Sequence, residues 1–136
     1  MTQEDKELLL KDIYARIPYG VKGCCEGETF RTTPLHWYAE NTLEYSVNYM
    51  VIKNGWRPYL FPLSRLNSLT DEQKKTLKVM CDWNDEEADA QSILVLYQKH
   101  FVMKTDVIDW LNQNHFDYRG LIEKGLAIDA TGLNVY

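Results

Sequence analysis

The sequence predicts an α+β fold: an N-terminal helix, a small antiparallel sheet or SH3-like barrel over about residues 19–63, and then C-terminal helices. Three observations carry that reading. Apolar residues recur with a helical period up to Ile17, with a period of two through the middle, and with a helical period again beyond Thr70. Two threonine-led capping signatures, at Thr2 and Thr70, mark helix starts on either side of the middle segment. The chain has 136 residues, 45% of them hydrophobic and 26% charged, which suits one folded domain spanning 1–136 and excludes a disordered chain.

The first helix is expected from about Gln3 to Ile17. Thr2 pairs with Asp5 as its cap, Glu4 and Asp5 sit at the positive end of the helix dipole, and Leu9, Leu10, Ile13, Tyr14 and Ile17 share one face. Pro18 and Gly20 stop it. Strands then follow at Val21–Glu26, Thr29–Thr33, Leu35–Tyr38 and Thr42–Tyr49, the last with Leu43, Tyr45, Val47 and Tyr49 on one side and polar residues on the other. Asn54–Gly55 favours a type I′ turn, which pairs Met50–Lys53 with Trp56–Phe61 as a hairpin. Pro58 and Pro62 cannot donate to a ladder, so the second arm is expected at an edge or leaving the sheet.

Thr70 with Gln73 caps the next helix, Asp71–Cys81, with Leu77 and Met80 inward and Lys74, Lys75 and Lys78 outward. Ile93–Tyr97 is an unbroken apolar run that periodicity leaves open between helix and strand. The acids before it favour a helix over Ala90–Phe101. Thr105 is the expected cap of a further helix to about Asn114, with Val107, Ile108 and Leu111 on its face. Gly120 and Gly125 bracket a last short turn, Leu121–Lys124.

The formal net charge of −5 falls entirely on the second half: residues 1–68 hold 8 acids and 8 bases, residues 69–136 hold 12 acids and 7 bases. A pI near 5.2 with no basic run argues against duplex DNA binding, which rests on Lys and Arg neutralising phosphates, so nucleic acid is a possible partner but not the favoured one. No stretch nears the roughly 20 apolar residues of a membrane span, and the charged start at Met1–Lys11 has no signal-peptide core, so the cytoplasm is the expected compartment and no membrane partner is expected. The three cysteines, an odd number, are read as thiols.

No phosphate-binding loop, dinucleotide fingerprint, serine-hydrolase elbow or zincin helix occurs. Cys24 and Cys25 are adjacent, and neighbours in a strand point to opposite faces, so the spacing does not suit zinc. No metal site and no cofactor are expected. His115, Asp117, Tyr118 and Arg119 form the densest polar cluster. A histidine beside a carboxylate suits general-base chemistry and an arginine suits an anion, but the commoner role of such residues after a helix end is to cap backbone groups. The middle segment is rich in aromatics: Trp37, Tyr38, Tyr45, Tyr49, Trp56, Tyr59 and Phe61. Most must fill the core. Those left exposed, with Trp56 and Tyr59 the candidates, would bind a partner. The acidic run Asp82–Asp89 reads as a solvated helix start before it reads as a phosphate mimic.

Three stretches together resemble a family of small uncharacterised proteins of Bacteroides-type bacteria, often borne on prophages or mobile elements. They are Ile17-Pro-Tyr-Gly-Val-Lys22, then Arg57-Pro-Tyr-Leu-Phe-Pro-Leu-Ser64 leading to Leu69-Thr-Asp-Glu-Gln73, and Asp109-Trp-Leu-Asn112 with His115-Phe-Asp-Tyr-Arg-Gly-Leu-Ile-Glu-Lys-Gly-Leu126. The resemblance implies an order of helix, small β unit and helices, and a phage or mobile-element setting. It implies no activity. The expectation is a non-enzymatic interaction protein that binds another protein. The alternatives are a single-stranded nucleic-acid binder using the same aromatics, and a small hydrolase or transferase using His115, Asp117 and Arg119.

Overall fold

A computed structural model describes residues 1–25, 51–52, 55–82, 89–100 and 103–136. The strands expected at Thr29–Thr33, Leu35–Tyr38 and Thr42–Tyr49, with their aromatics, and most of the acidic run lie outside the described residues. The rest is mixed helix and strand, in the order helix, small sheet, C-terminal helices.

Helix α1 (Gln3–Arg16) begins with the expected reciprocal cap between Thr2 and Asp5 and runs into a 3₁₀ turn at Ile17–Tyr19, closed by Gly20 at φ 70°. Its buried stripe is Leu9, Asp12, Ile13 and Arg16, so two charged residues share the core-facing side with two apolar ones. Strand β1 (Gly23–Cys24) pairs antiparallel with β2 (Arg57–Leu60), Gly23 opposite Pro58. Strand β3 (Ile128–Asp129) pairs parallel with the other side of β2, Ile128 opposite Tyr59.

The sheet among the described residues is therefore mixed rather than antiparallel, and it extends beyond the 19–63 segment to recruit a strand from residues 128–129. The helices between β2 and β3 return the chain to the same end of the sheet, the long crossover that parallel pairing requires. β2 is central, not an edge. Pro58 is tolerated there because the Tyr59 amide donates to Lys22 O (2.8 Å) on the β1 side, so the Pro58 nitrogen faces β3, whose ladder starts only opposite Tyr59. The expected Asn54–Gly55 hairpin does not form with Val51–Ile52 as its first arm. Those two residues sit in a helical turn with Val51 in the core, and β1 occupies the flank of β2 that the arm would have used.

Helices α2 (Asp71–Met80), α3 (Ala90–His100) and α4 (Thr105–Gln113) follow a 3₁₀ turn at Leu63–Ser68. The Thr70–Gln73 cap is present at the start of α2. Segment 90–100 is a helix, which settles the open period in favour of the acids that precede it. Thr105 is the first residue of α4 rather than its cap; Lys104 holds the cap position without a side-chain bond.

Three apolar clusters result. Leu66, Leu77, Ile93, Leu94, Val107 and Leu111 fill the space between the helices. Leu9, Ile13, Val51, Trp56 and Leu60 join α1 to one face of the sheet, and Tyr59, Ala130 and Val135 cover the other. The period of two in β2 sorts Trp56 and Leu60 to the α1 side and Tyr59 to the side of the C-terminal tail, so both faces are covered. Gly23 is obligatory: a Cβ there would overlap the Arg57 carbonyl and the Trp56 indole. Among the described residues no helix is long and apolar enough to cross a membrane.

Candidate functional site

Beyond β2, Phe61 continues the sheet with a new neighbour. Its amide donates to His115 O and its carbonyl accepts from Asp117 N, both at 2.8 Å, in a parallel bridge to Phe116. Two segments therefore diverge from one point, the 3₁₀ turn that starts at Leu63 and the turn at residues 117–123. The start of α3 closes the space between them, tied to the 3₁₀ turn by Asn67, whose Oδ1 accepts from Gln91 N (3.3 Å) and whose Nδ2 donates to Gln91 Oε1 (3.4 Å). The result is a cleft of about 560 Å³ lined by Pro62, Leu63, Ser64 and Gln91 on one side and by Asp117, Tyr118, Arg119, Gly120, Ile122 and Glu123 on the other.

Of the sequence-predicted cluster, Asp117, Tyr118 and Arg119 line this cleft and His115 does not. Asp117 is buried and both its oxygens are engaged: Oδ1 accepts from Leu121 N (2.8 Å) and Oδ2 from Ile122 N (2.9 Å). It caps the turn, the role that residues after a helix end commonly take. The Tyr118 hydroxyl donates to Asn112 Oδ1 (3.0 Å), and its carbonyl accepts from Gln98 Nε2 (3.4 Å). Arg119 reaches back to α1, where its Nη1 donates to Asp12 Oδ1 at 2.7 Å, and its guanidinium lies 4.6 Å from the centre of the Tyr118 ring.

Asp12 is shared. Its Oδ2 accepts from Arg16 Nε (2.8 Å), and Arg16 Nη2 donates to Phe116 O (2.6 Å). Asp12 and Arg16 are fully buried, so one carboxylate deep in the molecule holds two guanidiniums and clasps α1 to the 116–119 segment. Neither Asp12 nor Arg16 was singled out from the sequence. The available signal was their i, i+4 spacing at positions of α1 that fall on the stripe of Leu9 and Ile13, where charge is unexpected unless paired. Ser64 and Gln91 carry no such signal, because only the tertiary fold brings them to the cleft.

His115 occupies the first position past the end of α4 at φ 62°, where glycine is the usual residue. The helix ends in a Schellman pattern, with Phe116 N donating to Leu111 O and His115 N to Asn112 O. The imidazole stacks on Tyr136 at 3.6 Å, with the rings 10° apart. The Tyr136 hydroxyl donates to Tyr59 O (2.8 Å) and accepts from Lys22 N (2.9 Å), so the tail is pinned across β1 and β2. Burial first, then the charges of Arg16 and Lys22, push the His115 pKa down to about 4. It is a neutral packing element at neutral pH.

Trp56 and Tyr59, expected as exposed partner-binding rings, are only 2% and 3% exposed. That expectation is corrected: α1 covers the face that holds Trp56, and the tail covers the face that holds Tyr59. Burial, then a hydrogen bond with Cys24, lifts the Tyr59 hydroxyl to about 12. Among the described residues no three histidine, cysteine or acidic side chains gather as they would around a metal ion. No family model, no curated protein and no solved structure matches the chain.

Proposed function

We propose that this is a non-enzymatic interaction protein that seats a segment of another protein in the cleft between the 3₁₀ turn and residues 117–123. The single observation that carries the reading is how the polar lining is used. Asp117 is spent on backbone amides, Tyr118 on Asn112, and Ser64 has no hydrogen bond to a base among the described residues, which leaves a shaped concavity without an activated nucleophile. Its walls are also partly apolar. Gln91, Val95 and Gln98 follow one another at i, i+4 and i+7 on α3. Gln91 lines the cleft, Gln98 is bonded to the Tyr118 carbonyl and Val95 is exposed, while the apolar part of the lining itself comes from Pro62, Leu63 and Ile122.

The hydrolase or transferase alternative required His115, Asp117 and Arg119 to converge on one concavity, and the stacked, neutral His115 stands outside the lining. The nucleic-acid alternative relied on exposed rings, and of those described Trp56 and Tyr59 are buried while the partly buried Phe61 packs against Phe116 and Tyr136. An accessory role in a phage or mobile element belongs to the same proposal, and the genes neighbouring this one test it.

The direct test is affinity capture of the tagged protein from its own host with mass spectrometry. Wild type is run beside Ser64→Trp, which fills the cleft from an exposed position, with a nuclease-treated arm. One or more proteins held by wild type, resistant to nuclease and released by the variant, is the expected result. An identical set for both proteins, or capture that nuclease abolishes, overturns the reading.

A further inference from the structure

We infer that the group recognised in the cleft is a carboxylate, supplied by an aspartate or glutamate side chain of the protein partner and held by the Arg119 guanidinium. The inference rests on the reading of the cleft as a protein-docking site and names the chemistry of its occupant.

Arg119 is the single cation among the described lining residues. It is held in place on two sides, by the 2.7 Å bond from Nη1 to Asp12 and by the Tyr118 ring, so little side-chain freedom remains to be lost on binding. Its charge is only partly met. Asp12 divides itself between Arg119 and the fully buried Arg16, and two guanidiniums on one carboxylate leave one positive charge in excess within that clasp. Arg119 Nε and Nη2 have no hydrogen-bond partner among the described residues, and the side chain is 16% exposed. Donors that are not otherwise used and remain open to the cleft are available to a charged acceptor, with which hydrogen bonds are stronger than with a neutral one.

A guanidinium edge matches a planar carboxylate in two parallel hydrogen bonds. A phosphate group suits the site less. A dianion would meet one cation while Glu123 stands at the rim and Asp117 lies in the wall. The origin in a protein side chain follows from the surroundings: Pro62, Leu63 and Ile122 line the same cleft as Arg119 and offer apolar surface that a neighbouring residue of a peptide covers and a lone small acid leaves bare.

The experiment is a titration of the full ¹⁵N-labelled chain with three blocked peptides, acetyl-Ala-Leu-Glu-Ala-amide and its Gln and phosphoserine counterparts, followed by two-dimensional NMR. The Glu peptide is expected to move the Arg119 Nε–H signal and the amides of Ser64 and Gln91. It should bind about tenfold more tightly than the Gln peptide, the order expected of a charge-assisted hydrogen bond. Glu123→Gln, an exposed change that removes a competing acid, is expected to tighten the Glu peptide and leave the Gln peptide unchanged. Equal binding of the Glu and Gln peptides, strongest binding of the phosphoserine peptide, or no movement of the cleft signals overturns the inference. If Ser64→Trp still releases captured proteins in that event, the docking reading survives and only the carboxylate assignment falls.

Discussion

The helical half of the molecule and the half where α1 meets the sheet are held together by different physics. Between α2, α3 and α4 the buried side chains are Leu66, Leu77, Ile93, Leu94, Val107 and Leu111, whose contribution depends on apolar area and close packing and has no preferred direction. Between α1 and residues 115–119 the contact is directional: Asp12, Arg16 and Arg119 fix one another to within hydrogen-bond geometry and tie in the Phe116 carbonyl. An apolar core sets how strongly elements adhere. The charged clasp sets where the 116–119 segment lies against α1, and that placement forms one wall of the cleft.

The sharpest way to break this comparison is to make a change of nearly constant shape in each half. Asp12→Asn keeps the volume and removes the charge that two guanidiniums share, and it is expected to lower the unfolding free energy by about 3–5 kcal/mol, the usual cost of stranding a buried charge. Leu94→Met at an equally buried site keeps volume and polarity, and less than about 1.5 kcal/mol is expected. Chemical denaturation followed by circular dichroism measures both. Similar losses for the two variants would mean that the clasp is no more demanding than ordinary packing. Replacing Asp12 and Arg16 together with methionine should recover much of the single-variant loss, because the buried charges then leave as a pair.

A smaller and pH-dependent effect separates the halves a second way. His115 has a folded-state pKa near 4, well below the ordinary imidazole value near 6.5. Above about pH 6.5 the ring is neutral whether the chain is folded or not and contributes no pH dependence. As pH falls from there toward 4, the unfolded chain takes up a proton that the folded chain refuses, so stability declines across that window and levels off below it. The full shift corresponds to at most about 3 kcal/mol, and relaxation and screening around the ring reduce it to about half. His115→Asn preserves the left-handed backbone, which asparagine tolerates, and has nothing to titrate. Its denaturation midpoint is expected to fall less than that of wild type between pH 7 and pH 5. Parallel declines would show that other groups carry the acid sensitivity.

A different division, between local and long-range contacts, explains what could be read from the sequence. The helices of both halves were legible because caps and periodicity are local: Thr2 with Asp5 at α1 and Thr70 with Gln73 at α2 each announce a helix within four residues, and Leu77 falls on the face its spacing demands. The sheet was legible as a class and not as a topology. Its middle strand draws neighbours from residues 23–24 and 128–129, and nothing in the short Leu126–Ala130 stretch marks it as a strand until β2 is there to pair with it. The cleft was half legible. The run from Asp117 to Arg119 stood out as a polar cluster, and capping was the role expected of Asp117, but Arg119's partner lies 107 residues earlier in α1. The burial of Trp56 depends on Gly23, which admits the indole against β1, a fit between segments that sequence spacing does not encode.

The smallest expected effect compares the two caps. Thr70 Oγ1 accepts from Gln73 N (3.2 Å) while Gln73 Oε1 accepts from Thr70 N (3.1 Å), and Thr2 and Asp5 repeat the exchange at α1 with bonds of 3.1 and 3.4 Å. Loss of such a cap costs about 1 kcal/mol where the helix end is coupled to the core. Helix α2 meets its core through Leu77, and its first turn depends on the cap, so Thr70→Ala should cost about that amount. In α1 the first buried residue is Leu9, and the clasp at Asp12 and Arg16 holds the far end, so Thr2→Ala should fray one exposed turn for roughly 0.5 kcal/mol. Amide hydrogen exchange distinguishes the two. Faster exchange is expected through α2 as far as Leu77 in the first variant, but only up to about Glu7 in the second. Exchange that quickens at Ile13 in Thr2→Ala would show that the charged clasp does not anchor α1 independently of its start.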